Sequence, residues 1–200
     1  MLYLWEKARI PCNLLRGFSL NRDDLNHPVK YESDGSSPGI VVFRGASSDD
    51  LQSIRGMIRE ERLNPLGLDW KRFVVGTDDE GDIVACGQVK PHADGSRELA
   101  SLVVREPWRG SGFGSKIIEL LQSSSDPPLW LTCRSTLIPF YIRFDFHEVD
   151  DSSAMPRYFR WASRLMNLFL SVAGMDDYLA VMKWVGKQTE PTSSNREWRG

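Results

Sequence analysis

Apolar positions along the chain follow two rhythms. Short runs rich in Val, Ile, Leu and Phe at 40–44, 73–76, 83–90, 98–104, 129–133, 146–149 and 178–185 predict strands. Between them, apolar residues recur at helical spacing. Leu51, Ile54, Met57 and Ile58 predict a helix, with Ser47 or Ser48 as its N-cap, Asp49 and Asp50 in its first turn, and Asn64-Pro65 ending it. A second helix follows a glycine cluster and runs through Leu121. A short helix begins at Ser135 or Thr136 and carries Pro139, Phe140 and Tyr141. Tyr158, Trp161, Leu165, Leu168 and Phe169 predict an amphipathic helix over 156–174, ended by Gly174. Turn residues at 79–82 and 92–97 separate three strands. A meander followed by alternating helices and strands implies an α+β chain with a mixed sheet.

The ends lack this order. Residues 1–20 mix apolar and basic side chains, and Pro11 interrupts any helix there. Residues 21–39 are polar and read as linker. The expected division is therefore an N-terminal extension and linker at 1–39, one domain at 40–187, and a flexible tail at 188–200.

Composition narrows the classes. Formal net charge is −2, which leaves no basic footprint for nucleic acid. Cys12, Cys86 and Cys133 are far apart and form no CxxC pair, which favours a reducing compartment over a disulfide framework. His27, His92 and His147 show no metal-ligand spacing, so no metal is expected. No run of about 18 apolar residues is present, so neither a membrane span nor a membrane partner is expected.

The centre of the chain is the segment from Arg105 to Leu121, REPWRGSGFGSKIIELL, which reads as strand end, tight loop and helix. Gly110, Gly112 and Gly114 allow positive φ and close approach of a ligand to the backbone. The helix N-terminus offers N–H groups and the positive end of its dipole, a site suited to phosphate or pyrophosphate. The G-x-G-x-G spacing departs from the G-x-G-x-x-G dinucleotide fingerprint, and the Walker pattern is absent. Taken alone, the loop leaves a dinucleotide, a nucleotide or no ligand open.

Its surroundings carry a resemblance. Arg109-x-x-Gly112-x-Gly114, after the strand SLVV and before the helix SKIIELL, resembles motif A of the GNAT superfamily of acyl-CoA-dependent N-acetyltransferases. The meander upstream and Phe140-Tyr141 downstream resemble it too. Asp145 stands where that family usually has the glycine of Gly-Phe, and Arg134 stands in place of a common Asn. The resemblance implies a GNAT-like, mostly antiparallel central sheet flanked by helices, with strands splayed at an acyl-CoA site. It implies acetyl-CoA as donor, with pyrophosphate bound from Arg109 through Gly110, Ser111, Gly112, Phe113 and Gly114 to Ser115, and pantetheine pairing along Leu102, Val103 and Val104. Lys116 is a further candidate near the phosphates.

Direct transfer to a primary amine needs a base for the ammonium and an acid for the thiolate. By resemblance Tyr141 is the acid, and Glu98, eleven positions before Arg109, is the base. His92, in the preceding turn, is a second candidate base, although turn histidines are usually surface residues. Strand alternation places Glu98, Ala100, Leu102 and Val104 on one face. Cys133 suggests a covalent acyl-enzyme only weakly, since no activating base adjoins it. The expected activity is N-acetyl transfer to a small molecule, peptide or protein. The alternative is a non-catalytic acyl-CoA sensor or interaction module. Many members of that family are dimers; Trp161, Leu165 and Phe169 could supply a homodimer contact or equally cover the sheet, so the oligomeric state is open. A cytoplasmic location is expected, with a plastid or other organelle stroma as the alternative.

Overall fold

A computed structural model of the chain describes residues 29–32, 39–172 and 177–186. The expectations for residues 1–20 and for a tail at 188–200 lie outside these. Within them one eight-stranded sheet runs in the order β1-β2-β3-β4-β5-β6-β8-β7. Its strands are β1 (Val29–Glu32), β2 (Ile40–Gly45), β3 (Phe73–Thr77), β4 (Ile83–Pro91), β5 (Arg97–Val104), β6 (Leu129–Arg134), β7 (His147–Glu148) and β8 (Leu179–Trp184). Every neighbouring pair is antiparallel except β5 and β6. The mixed, mostly antiparallel sheet matches the expectation. One boundary is corrected: Val29–Glu32, assigned above to the linker, pairs with β2 and extends the sheet.

Among the described residues four α-helices flank the sheet: α1 (Leu51–Glu60), α2 (Phe113–Ser123), α3 (Ile138–Ile142) and α4 (Arg157–Val172). The side on which each packs follows from strand alternation. On β3, Val74 joins the cluster built on Phe113, Ile117, Ile118 and Leu121 of α2, whereas Phe73 and Val75 join Ile54, Met57 and Ile58 of α1. On β6, Leu129, Leu131 and Cys133 face α2, whereas Trp130 meets Phe159 of α4. The sheet thus separates α2 and α3 on one side from α1 and α4 on the other.

The start of α1 differs in detail from the expected serine cap. Asp50 precedes the helix, and its carboxylate accepts from the Ser47 N–H at 2.6 Å and from Arg44 Nη1 at 2.7 Å. This pairing, chiefly the Arg44 hydrogen bond, holds the Asp50 carboxyl down at about 2.

Gly87 lets α2 seat on β4. A Cβ there would stand 2.6 Å from the Ile117 side chain, closer than carbon atoms approach. Opposite Gly87 the β4–β5 ladder slips: Cys86 pairs with Val103, but Gln88 pairs with Ala100. β5 therefore holds a bulge, with Ser101 at φ 56°.

That bulge corrects the expected alternation. Leu99, Leu102 and Val104 pack on the α2 side, and Val103 on the α1 side. Glu98, next to Leu99 before the bulge, lies on the opposite face from Leu102 and Val104.

β7 and β8 are antiparallel neighbours, with His147 opposite Lys183. A tight hairpin would suffice to join them, yet residues 149–178 intervene and build α4 against the sheet. Met155, Phe159, Trp130 and Val181 form the cluster beneath it.

Candidate active site

β5 and β6 pair only at Glu98 and Trp130 and diverge beyond. From Ala100 to Val104, β5 keeps β4 on one side and has no ladder to β6 on the other. An extended backbone without a neighbour invites a strand-like ligand to supply the missing hydrogen bonds. A cavity of ≈ 90 Å³ opens here, lined by Leu102, Val103, Val104, Glu61, Leu63 and Arg109. The three residues expected to line pantetheine therefore border a cavity at the divergence.

The glycine loop continues from this edge. Gly110 and Gly112 have φ 85° and 82°, the left-handed conformation that glycine takes without strain. Gly112 immediately precedes α2, so the first-turn N–H groups from Phe113 onward belong to the helix N-terminus. Phe113 anchors the loop, its ring fully buried against Phe43 and Trp108. Gly114 is buried, and a Cβ there would meet Val104 at an ordinary 3.6 Å. Ser111 and Ser115 are half-buried beside it.

Arg109 makes contacts within the chain at this edge. Its Nε donates to the Val104 carbonyl at 2.9 Å and its Nη2 pairs with Glu61 at the end of α1. Its backbone N–H is taken by Glu106. The side chain braces β5 against α1 and lines the cavity. Its Nη1 is buried with no hydrogen-bond partner among the described residues. Lys116 forms a 3.6 Å ion pair with Glu119 on its own helix.

The two candidate bases are brought together. His92 Nε2 lies 2.9 Å from Glu98 Oε2, and both side chains are largely buried, at 7 % and 9 % exposure. Thr132 Oγ1 donates to Glu98 Oε1 at 3.3 Å. The expectation of a surface histidine is corrected because α4 covers it: Tyr158 stacks on the imidazole at 3.6 Å and Phe159 meets its edge at 5.5 Å. Burial, then the charge of Glu98, raises the Tyr158 phenol above its ordinary value. Beside the pair, Gln88 is fully buried; its amide donates to Ser101 Oγ at 3.0 Å and its carbonyl oxygen has no partner. A lone polar residue in the apolar run IVACGQV was the only signal of Gln88 in the sequence, and nothing marked Thr132 or Tyr158.

Tyr141 stands on the other face. It is buried in the α2-side cluster and packs edge-on against Phe140 and Phe146. Among the described residues its hydroxyl has no hydrogen-bond partner. Burial is the main cause that pushes the phenol above its usual range, so it holds its proton. Cys133 is a weak nucleophile: burial, helped by Glu148 and Asp177, pushes its thiol up to about 12. Asp145 adopts φ 60°, the left-handed conformation expected of the glycine it replaces. Arg134 pairs with Asp177, which also accepts from the Ser135 N–H at 3.2 Å. Both departures from the family pattern are thus held by local structure.

With this geometry in hand, comparison with known proteins is direct. Residues 69–148 match the family model described as an acetyltransferase (GNAT) domain. Among solved structures, N-acetylglutamate synthase from Neisseria gonorrhoeae, complexed with coenzyme A and N-acetyl-glutamate, has a TM-score of 0.52 at 19 % identity, covering 72 % of this chain and 35 % of that one. Rv2747 from Mycobacterium tuberculosis, in complex with CoA, gives 0.53 at 17 % identity over 72 % and 98 %. Ard1 from Thermoplasma volcanium gives 0.51 at 15 % identity over 74 % and 99 %. At these identities the likeness is one of fold, and the chain spans about a third of the length of the synthase. A comparison with curated proteins finds no match. The class is thus a mixed-sheet fold with a splayed strand and a glycine loop at a helix N-terminus. Over residues 69–148 the chain is similar to the acetyltransferase (GNAT) domain, and its fold is the one those neighbours share.

Proposed function

We propose that the protein transfers the acetyl group of acetyl-CoA directly to a primary amine. The observation that carries this reading is the divergence of β5 from β6 beside the Gly110–Gly112 turn. Pantetheine amides would complete the hydrogen bonding of 102–104, and the pyrophosphate would meet the N–H groups from Gly110 to Ser115. CoA-bound neighbours of the same fold support acetyl-CoA as donor.

Glu98 takes the proton of the attacking ammonium, directly or through one water, with His92 and Thr132 holding its carboxylate. The amine lone pair then forms the C–N bond at the thioester carbonyl. Collapse of the tetrahedral adduct breaks the C–S bond, and the thiolate takes the phenolic proton of Tyr141. The base and the acid stand on opposite faces of the sheet at the strands that diverge. That arrangement suits an amine entering from the α1–α4 side and a thiolate leaving toward α3. The unreactive Cys133 thiol favours direct transfer over an acyl-enzyme. Free thiols at Cys86 and Cys133 fit a reducing compartment such as the cytoplasm.

Isotope-labelled acetyl-CoA, offered with a panel of amines, peptides and protein extracts, tests the proposal. Label should move to at least one amine acceptor, and Tyr141→Phe should slow it. CoA binding by calorimetry without transfer to any acceptor would replace this reading with that of an acyl-CoA sensor.

A further inference from the structure

α4 is apolar on two sides. Its inner side buries Phe159 and Ser163 against the sheet and stacks Tyr158 on His92. Its outer side exposes Trp161 by 65 %, Leu165 by 53 % and Leu168 by 64 %. These three are spaced i, i+4, i+7, so they form one stripe along the helix. Basic residues run along one flank of the stripe: Arg157 and Arg164 are exposed and Arg160 is half-buried. The helix holds no acidic residue, and none occurs from 152 to 175. Among the described residues no carboxylate pairs with these arginines. A chain of net charge −2 therefore carries one apolar, uncompensated basic face.

We propose that this face of α4 docks the domain onto an anionic lipid surface. A Trp-Leu-Leu stripe bordered by arginines has the chemistry of a helix lying in the membrane interface: the apolar side chains enter the headgroup boundary and the guanidiniums meet lipid phosphates. No helix among the described residues is long and apolar enough to cross a membrane, so the association is peripheral. Hydropathy along the chain gave no such expectation, because the same residues also satisfy the pattern of a helix packed on a sheet. A second copy is the poorer occupant. A twofold contact through this face would set Arg164 and Arg160 of one copy against those of the other, with no carboxylate on the helix to neutralise them. The docked face lies on the helix that covers Glu98 and His92, so docking would hold the candidate acceptor side near the lipid headgroups.

Flotation of the full chain with vesicles tests this. The protein should float with phosphatidylcholine vesicles containing phosphatidylglycerol, stay behind with pure phosphatidylcholine, and lose binding as salt rises. Trp161→Ser, Leu165→Ser and Leu168→Ser together, and separately Arg157→Gln with Arg164→Gln, should each weaken partitioning roughly tenfold or more. All five positions are exposed, so thermal unfolding should be little changed, which verifies the fold. Absence of flotation with anionic vesicles overturns the proposal, as does undiminished flotation of both variants. Wild-type dimerisation in sedimentation that the triple serine variant abolishes would assign the face to a second copy. Retention on polyglutamate without flotation would assign it to an acidic protein. Neither result depends on acetyl transfer.

Discussion

Glu98 and His92, six residues apart, meet at 2.9 Å beneath the ring of Tyr158. The turn at 92–96, closed by the His92 N–H bonding the Ser96 carbonyl at 2.9 Å, folds β5 back on β4 and brings both side chains under α4. Thr132 from β6 occupies the second carboxylate oxygen. Two polar partners hold the orientation of this buried carboxylate, as the proposed base role requires.

Glu98→Gln keeps the shape and removes the proposed base. With acceptor identified, kcat should fall about 10²- to 10⁴-fold while KM for acetyl-CoA stays unchanged. His92→Gln should lower kcat in the same direction by a smaller factor, because the carboxylate loses its orienting partner. Steady-state kinetics with thermal melts check this. A lowered Tm with kcat intact would make the pair a structural element only.

Tyr141→Phe removes a hydroxyl that bonds no described residue, so stability should change by less than about 1 kcal/mol. The same substitution should reduce kcat by roughly 10- to 100-fold if the phenol protonates the thiolate. Burial raises the phenol above its ordinary range, so its proton is retained across the working range, and Tyr141 ionisation should put no alkaline limb on kcat below about pH 10. Melting curves and a pH–rate profile read both.

Burial pushes the thiols of Cys86 and Cys133 up to about 12. Their folded values exceed the unfolded one, so ionisation favours the unfolded chain. Their contribution is intact below the ordinary thiol value of about 9 and is lost as pH rises from there toward 12. Stability should therefore decline over that alkaline window. In a Cys12→Ser chain, a thiol reagent at pH 8 should label neither cysteine until denaturant is added. Rapid labelling of the native protein would contradict the burial.

Gly112 and Gly114 should respond oppositely to alanine. Gly112→Ala places a Cβ at φ 82° and should cost about 1–2 kcal/mol along with affinity for CoA. Gly114→Ala meets Val104 at an ordinary distance and should be nearly neutral. Denaturant titration and calorimetry of CoA binding separate the two.

Much of this was legible locally. Spacing placed α1, α2 and α4 and seven of the strands to within a few residues, because helix and strand periods are written in neighbouring side chains. The glycine spacing announced the left-handed turn at Gly110 and Gly112, since only glycine adopts it without strain. β1 escaped, because VKYE alternates over only four residues within a polar stretch; pairing with β2 is what makes it a strand.

What depended on pairing between distant segments had to come from the tertiary structure. The bulge at Ser101 reset the faces of β5, so Glu98 parted from Leu102 and Val104. Arg109 went to Glu61 and Val104 because α1 ends beside the loop. His92 left the surface because α4 returns over it. The sequence by itself determined the elements, the glycine loop and the residue types capable of the chemistry, since each depends on near neighbours. Which of those residues meet, and on which face, was decided only when strand register and helix packing joined positions far apart along the chain.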